Sequence, residues 1–134
     1  MLLNMHIKNI ALIDDIDINF EDKLNIMTGE TGAGKSIIIG SLGICLGGRF
    51  QKVLLRDNEM DGLVELIFTV DNENVRRQLM DIDVDAGDDG EIVISRRLSP
   101  SGRAINRIND NTVTTAKLKE AAAILIDLHA QHEQ

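Results

Sequence analysis

The run Gly29-Glu30-Thr31-Gly32-Ala33-Gly34-Lys35-Ser36 sets glycines, a lysine and a hydroxyl at the spacing G-x-x-x-x-G-K-[ST]. Each residue type has a chemical reason to be there. Glycines let the backbone wrap with its N–H groups pointing inward, and the start of the following helix adds the positive end of its dipole. Together these groups form a cradle for phosphate oxygens. Lys35 can then reach the β- and γ-phosphates, and the Ser36 hydroxyl can ligate Mg²⁺. The pattern predicts binding of a nucleoside triphosphate. ATP with Mg²⁺ is favoured, since no guanine-specifying N/T-K-x-D motif is present. The candidate nucleotide contacts are Gly29, Glu30, Thr31, Gly32, Ala33, Gly34, Lys35 and Ser36, with Ser41 further along; Lys35 is also the first candidate catalytic group.

Hydrolysis needs a second magnesium carboxylate and a group that orients water. The usual cue for the carboxylate is four apolar residues followed by Asp. Ile10-Ala11-Leu12-Ile13-Asp14 fits it, but precedes the phosphate loop in an opening hairpin and reads as strand composition. Ile124-Leu125-Ile126-Asp127 comes in better chain order, yet Leu128 follows where an acidic residue often serves as base. Leu98-Ser99-Pro100-Ser101-Gly102 superficially matches the L-S-G-G-[QE] signature of ABC-type ATPases. Pro100 and Ser101 break that match, and the segment reads as a hairpin tip. His129-Ala130-Gln131-His132-Glu133 fits neither H-E-x-x-H nor H-x-x-E-H, so a zinc site is not expected there.

The elements that must position these groups follow from periodicity. Leu2 to Ile7 and Ile13 to Phe20 read as strands; in the second, Ile16, Ile18 and Phe20 alternate with polar residues. Leu24 to Met27 suits a short buried strand leading into the phosphate loop, and Lys35 to Leu46 a helix ended by Gly47-Gly48. Leu63 to Val70 reads as a strand and Asn72 to Met80 as a short helix capped by Asp71 or Asn72. The aspartate-rich stretch from Asp81 to Asp89 lacks EF-hand spacing and reads as a solvated turn. Glu91 to Leu98 and Arg103 to Ile108 form a hairpin through Ser99-Pro100-Ser101-Gly102. Thr114 or Thr115 caps a helix through Ala123, and Ile124 to Leu128 reads as a final strand. The expected fold is an α/β or α+β sheet domain, a phosphate-loop core with antiparallel strands beside it.

Bulk properties narrow the function classes. The chain has 134 residues with 43% hydrophobic content, enough for one domain with a real core. A net charge of −8 argues against holding DNA by bulk electrostatics, and three Phe with no Trp or Tyr leave little for base stacking. Cys45, the single cysteine, sits in an apolar run and reads as a core residue in a reducing compartment. No secretory signal or membrane-span-length apolar run is read, so a cytoplasmic protein is expected.

Three stretches together carry a family resemblance. Ile7-Lys8-Asn9-Ile10-Ala11-Leu12-Ile13, Met27 through Ser36, and Leu46-Gly47-Gly48-Arg49 resemble the start of the RecN family of bacterial SMC-like repair ATPases. Arg103 to Asn109 and Leu125 through Gln134 are similar to later stretches of the same head. The resemblance implies that residues 1–134 are the N-terminal lobe of an ATPase head. In the family a long coiled coil follows, and a C-terminal lobe carries the signature motif and magnesium carboxylates. It further implies a protein active in DNA double-strand break repair and recombination, with DNA bound by the full-length protein. A head-to-head homodimer around ATP and a cytoplasmic, nucleoid-associated location belong to the same implication. Gln131 would stand in the Q-loop position, contacting Mg²⁺ or the attacking water, with Gln134 its rival. Arg49 or Arg56 would supply the arginine that approaches the phosphates.

Two other readings stand beside this one. A self-contained small P-loop kinase or NTPase would use Asp127 for magnesium and recruit Arg96, Arg97, Arg103 and Arg107 as a lid. A nucleotide-gated interaction module would bind without turnover. The β-rich insertion after the first helix favours the ATPase lobe.

Overall fold

The computed structural model describes residues 2–19, 43, 55–87 and 89–132, with side chains to Leu125. Among the described residues the frame is a six-stranded sheet in which every neighbouring pair is antiparallel. The strands are β1 (Leu2–Ile10), β2 (Ile13–Asn19), β3 (Gly62–Thr69), β4 (Glu91–Leu98), β5 (Ala104–Ile108) and β6 (Asn111–Val113), ordered β2-β1-β3-β4-β5-β6 across the sheet.

Alternation along the strands decides which face is covered. Val64, Leu66 and Phe68 of β3 stand opposite Arg96, Ile94 and Ile92 of β4 on one side. Val64 and Leu66 also face Ile7 and Met5 of β1 on the other. All these residues are buried, so one face is a nearly continuous apolar layer. A shift of register between Leu2 and Asn4 lets Leu2 stay on that face despite its odd spacing from Met5. β2 is an edge strand with a weaker pattern: Ile18 is buried opposite Met5, while Ile16 is exposed. Burying a side chain such as Leu66 or Phe68 is worth about 1.5–3 kcal/mol.

Two helices complete the described core. α1 (Glu73–Asp81) is capped by Asn72, whose side-chain oxygen accepts the Asn74 N–H at 2.8 Å. It ends where Asp83, at φ 62°, turns left-handed. There the Asp83 and Val84 N–H groups return to the Met80 and Leu79 carbonyls at 3.0 and 2.8 Å. Val75 and Leu79 supply its buried face. α2 (Thr115–His132) starts after Thr114, whose hydroxyl accepts the Lys117 N–H at 3.1 Å, and buries Leu118, Ala121, Ala122 and Leu125.

Most of the sequence expectations for these elements hold, and two differ. The final strand read over Ile124 to Leu128 is instead the continuation of α2, well beyond the expected end at Ala123. The buried positions 118, 121, 122 and 125 recur at three- and four-residue spacing, so the apolar run is a helix stripe. Strand β6 has no counterpart among the expectations. Its signal is the pair Asn109-Asp110, both at positive φ (51° and 69°), the two-residue turn favoured between antiparallel strands. Asn109 also ties the aspartate-rich stretch to the sheet, accepting the Val93 N–H and donating to the Asp85 carbonyl, both at 2.8 Å. At the start of β4, Gly90 has φ 76°, and a Cβ there would lie 2.8 Å from the Val70 carbonyl oxygen, so this close approach requires glycine.

Candidate nucleotide-binding site

The phosphate loop from Gly29 to Ser36, Ser41, Arg49 and Gln134 lie outside the described residues, as do the strand read over Leu24 to Met27 and Cys45. Gly43, inside the span read as the helix after the loop, is helical. The described structure therefore reports on what surrounds the loop in sequence: the β1–β2 turn, the segment that returns at Leu55, and α2.

At the end of β1 the chain is held in an unusual way. Asn9 has φ 55° and is 3% exposed. Its side-chain oxygen accepts the Asp57 N–H at 2.7 Å. Its amide donates to the carbonyls of Asp57 and Met60, each at 3.0 Å, with that of Asp61 at 3.3 Å. Its own carbonyl accepts the Arg56 N–H at 3.3 Å. One residue thus fastens residues 56–61 to the end of the strand. The turn that follows has Ala11 at φ 53° and Leu12 83% exposed. The Arg56 guanidinium reaches Asp14, just past this turn, at 3.9 Å, and both side chains are open to solvent.

α2 is fixed at its start by a second polar chain. The Arg96 Nε–H donates to the Asn106 side-chain oxygen at 2.8 Å, and the Asn106 amide donates to the Thr115 hydroxyl at 3.1 Å. Arg96 and Asn106 are both buried. This arrangement ties β4 and β5 to the first residue of the helix, and the helix backbone carries Asp127 and Gln131 toward its far end. Gln131 is therefore in the last turn of a helix, not in a loop released by a strand. Asp127 lies within the same helix, so it does not stand at the end of a strand as a magnesium carboxylate of the expected type would. Among the proposed lid arginines, Arg96 is buried in this structural contact, whereas Arg97 is exposed and meets Asp61 at 3.5 Å.

Sequence reasoning missed Asn9 and Asn106 as organising residues. Asn9 sits in the stretch that carries the family resemblance, but its partners are 48 to 52 residues away in sequence, which no local pattern shows. Asn106 stands opposite Arg96 across β4 and β5, a polar pair on the buried face that alternation alone would expose as anomalous.

This architecture has known counterparts. Residues 4–133 match the AAA domain family, and the chain belongs to it. A solved structure from work on ATP-driven dimerization and DNA-stimulated activation of SMC ATPases superposes with a TM-score of 0.69 at 18% identity, covering 93% of this chain and 79% of that one. The SMC head domain from Thermotoga maritima gives 0.58 at 19% identity, over 89% of this chain and 41% of that one. The fold is that of part of an SMC-type head, and the antiparallel sheet is the part of it that the described residues form.

Sequence relatives are more specific. The DNA repair protein RecN of Bacillus subtilis is 37% identical over 134 residues, 99% of this chain and 23% of that protein. RecN of Halalkalibacterium halodurans is 38% identical over 136 residues, 99% and 24% respectively. RecN of Vibrio cholerae is 33% identical over 132 residues, 98% of this chain and 24% of that protein. The resemblance to RecN thus runs over nearly the whole chain, which spans about a quarter of the length of these curated relatives. No helix among the described residues is long and apolar enough to cross a membrane.

Proposed function

We propose that this chain is the N-terminal lobe of an SMC-like ATPase head, binding ATP with Mg²⁺ and acting, in the full-length protein, in DNA double-strand break repair and recombination. The observation that carries the reading is the complete phosphate-loop pattern from Gly29 to Ser36, set in a chain similar throughout to RecN. In this reading the backbone from Gly29 to Gly34 cradles the phosphates, Lys35 neutralises their charge, and Ser36 holds the magnesium ion. Ser41 adds a nucleotide contact, and Gln131 touches Mg²⁺ or orients water. Bound Mg²⁺ supplies charge neutralisation at the phosphates. The donor set fits: a hydroxyl and a neutral amide oxygen are hard ligands suited to this ion.

The remaining parts of the reaction come from elsewhere in the protein. A C-terminal lobe beyond a coiled coil provides the second carboxylate, and a second head closes over ATP in a head-to-head homodimer. DNA is engaged by that larger assembly in the cytoplasm, at the nucleoid. The helical setting of Asp127 and the burial of Arg96 speak against the compact kinase reading.

Lys35→Ala tests the assignment. Loss of a charged contact to the phosphates should weaken binding of an ATP analogue with Mg²⁺ by roughly ten- to hundredfold or more in calorimetry. Circular dichroism should be unchanged, because the ammonium serves the ligand and not the core. Undiminished binding by the variant would sink the phosphate-loop assignment.

A further inference from the structure

We infer that the open face of strands β2-β1-β3-β4 docks a second copy of this chain, about a two-fold axis that runs along the strands between β1 and β3. No part of the nucleotide reading enters.

Strand register fixes what this face carries. Side chains that alternate with the buried set stand on it in rows across the sheet. One row runs Asp15, Lys8, Leu63, Arg97; the next runs Asp17, His6, Glu65, Ser95; a third runs Asn19, Asn4, Ile67, Val93. All of them are exposed or half-buried, whereas the helices lend Val75, Leu79, Leu118 and Leu125 to the core cluster built on the opposite face. Beside the third row lies a hollow of about 220 Å³, lined by Leu3, Asn4, Asn19, Ile67 and Glu91.

The charges on this face are complementary to themselves. A two-fold axis parallel to the strands lays each row on the same row of the second copy in reverse order. With the axis between β1 and β3, Asp15 stands over Arg97 of the second copy and His6 over Glu65 of the second copy, each twice. Lys8 then meets Leu63, and Asn4 meets Ile67 at the rim of the hollow. No like charges face one another.

Other placements fail this test. With the axis on β3, Glu65 faces itself and Lys8 faces Arg97. With the axis on β1, Asp17 faces Glu65. An axis running across the strands through the middle row sets Asp17 and Glu65 each against itself. Like charges brought together at an interface suppress that pairing, so complementarity selects one arrangement. Facing sheets pack about 10 Å apart, a gap that arginine and glutamate side chains can bridge. Within one chain Asp15 holds His6 at 2.7 Å and Arg97 meets Asp61 at 3.5 Å. Asp15 and Arg97 are each about half exposed, and solvated pairs of this kind exchange partners at little cost. Four short strands bury a small area, which fits a transient contact.

Sedimentation velocity of the full-length protein without nucleotide, up to about 100 µM, reads this association apart from any ATP-driven one. Wild type should associate as concentration rises, and added salt should weaken it. Arg97→Asp and Asp15→Arg should each weaken association at least about tenfold, because each sets like charges face to face. An equimolar mixture of these two variants should associate as wild type does, since every changed residue then meets its opposite charge. The double variant Asp15→Arg/Arg97→Asp should do the same. Arg77→Asp, an exposed change on α1, should have no effect. Should the reversals unfold the protein on thermal melting, crosslinking of Asp15→Cys/Arg97→Cys decides. Three strand spacings, about 14 Å, separate these positions within a chain, so a bismaleimide spanning about 8 Å joins them only between copies. A covalent dimer absent from wild type and from each single cysteine variant is expected. A monomeric wild type, an association indifferent to both reversals, a mixture that fails to associate, or no crosslinked dimer would overturn the inference and leave the nucleotide reading standing.

Discussion

Gln131 and Asn9 mark opposite ends of what single residues reveal. The phosphate loop is recognisable because eight consecutive residues carry the whole pattern, and its chemistry depends on backbone freedom and one charge. Gln131 is singled out by resemblance, and the structure corrects the route by which it arrives: it rides the last turn of α2 rather than a loop behind a strand. A side-chain amide is neutral and adds little to nucleotide affinity, so its contribution should appear in turnover. In the full-length protein, Gln131→Ala should keep ATP binding within a few-fold while slowing hydrolysis at least about tenfold, equivalent to about 1.4 kcal/mol in the barrier. Steady-state turnover beside calorimetry reads both quantities. In a nucleotide-bound crystal structure, Gln131 should lie nearer to Ser36 than Gln134 does. Unchanged turnover would take Gln131 out of the site. Asn9 escapes this kind of recognition, because its meaning lies in carbonyls some fifty residues downstream.

At the scale of elements, the sheet is legible wherever alternation is strict. β3, with Val64, Leu66 and Phe68, and β4, with Ile92 and Ile94, match their sequence bounds to within a residue or so. The run from Ile124 to Leu128 misleads because consecutive apolar residues satisfy strand and helix alike. What decides it is tertiary: Leu118, Ala121, Ala122 and Leu125 form a stripe, and small Ala residues let the helix pack closely. The start of that helix depends on the Arg96–Asn106–Thr115 chain. Asn106→Ala would take the acceptor from the Arg96 Nε–H and the donor from the Thr115 hydroxyl in one change. A bond to a buried charged group is worth about 1.5–3 kcal/mol, so urea unfolding should show a loss of about that size. Thr114→Ala, which removes only the cap on the Lys117 N–H, should cost about 1 kcal/mol. Equal losses for the two variants would mean that the buried chain contributes no more than an ordinary cap.

On the scale of the molecule, the proposed reading makes the sheet, the two helices and the phosphate-loop sequence one part of a larger site. The curated relatives are about four times longer than the region they share with this chain. Among the described residues, the carboxylate that the sequence offered for magnesium in the better chain order, Asp127, is carried by a helix. Positioning the nucleotide is therefore separable from cleaving it, since cleavage also requires charge stabilisation and an oriented water at the transferred phosphoryl group. We expect residues 1–134 alone to bind ATP with Mg²⁺ and to hydrolyse it no faster than buffer. Adding the C-terminal lobe should restore turnover, and turnover should rise more steeply than linearly with protein concentration if two heads must meet over the nucleotide. Phosphate release measured across a concentration series distinguishes these cases. Robust hydrolysis by residues 1–134, independent of concentration and abolished by Asp127→Asn, would instead make this lobe a complete enzyme and return Asp127 to the metal. The placement of Asp127 within a helix, rather than at a strand end beside the phosphate loop, is the physical reason to expect the opposite.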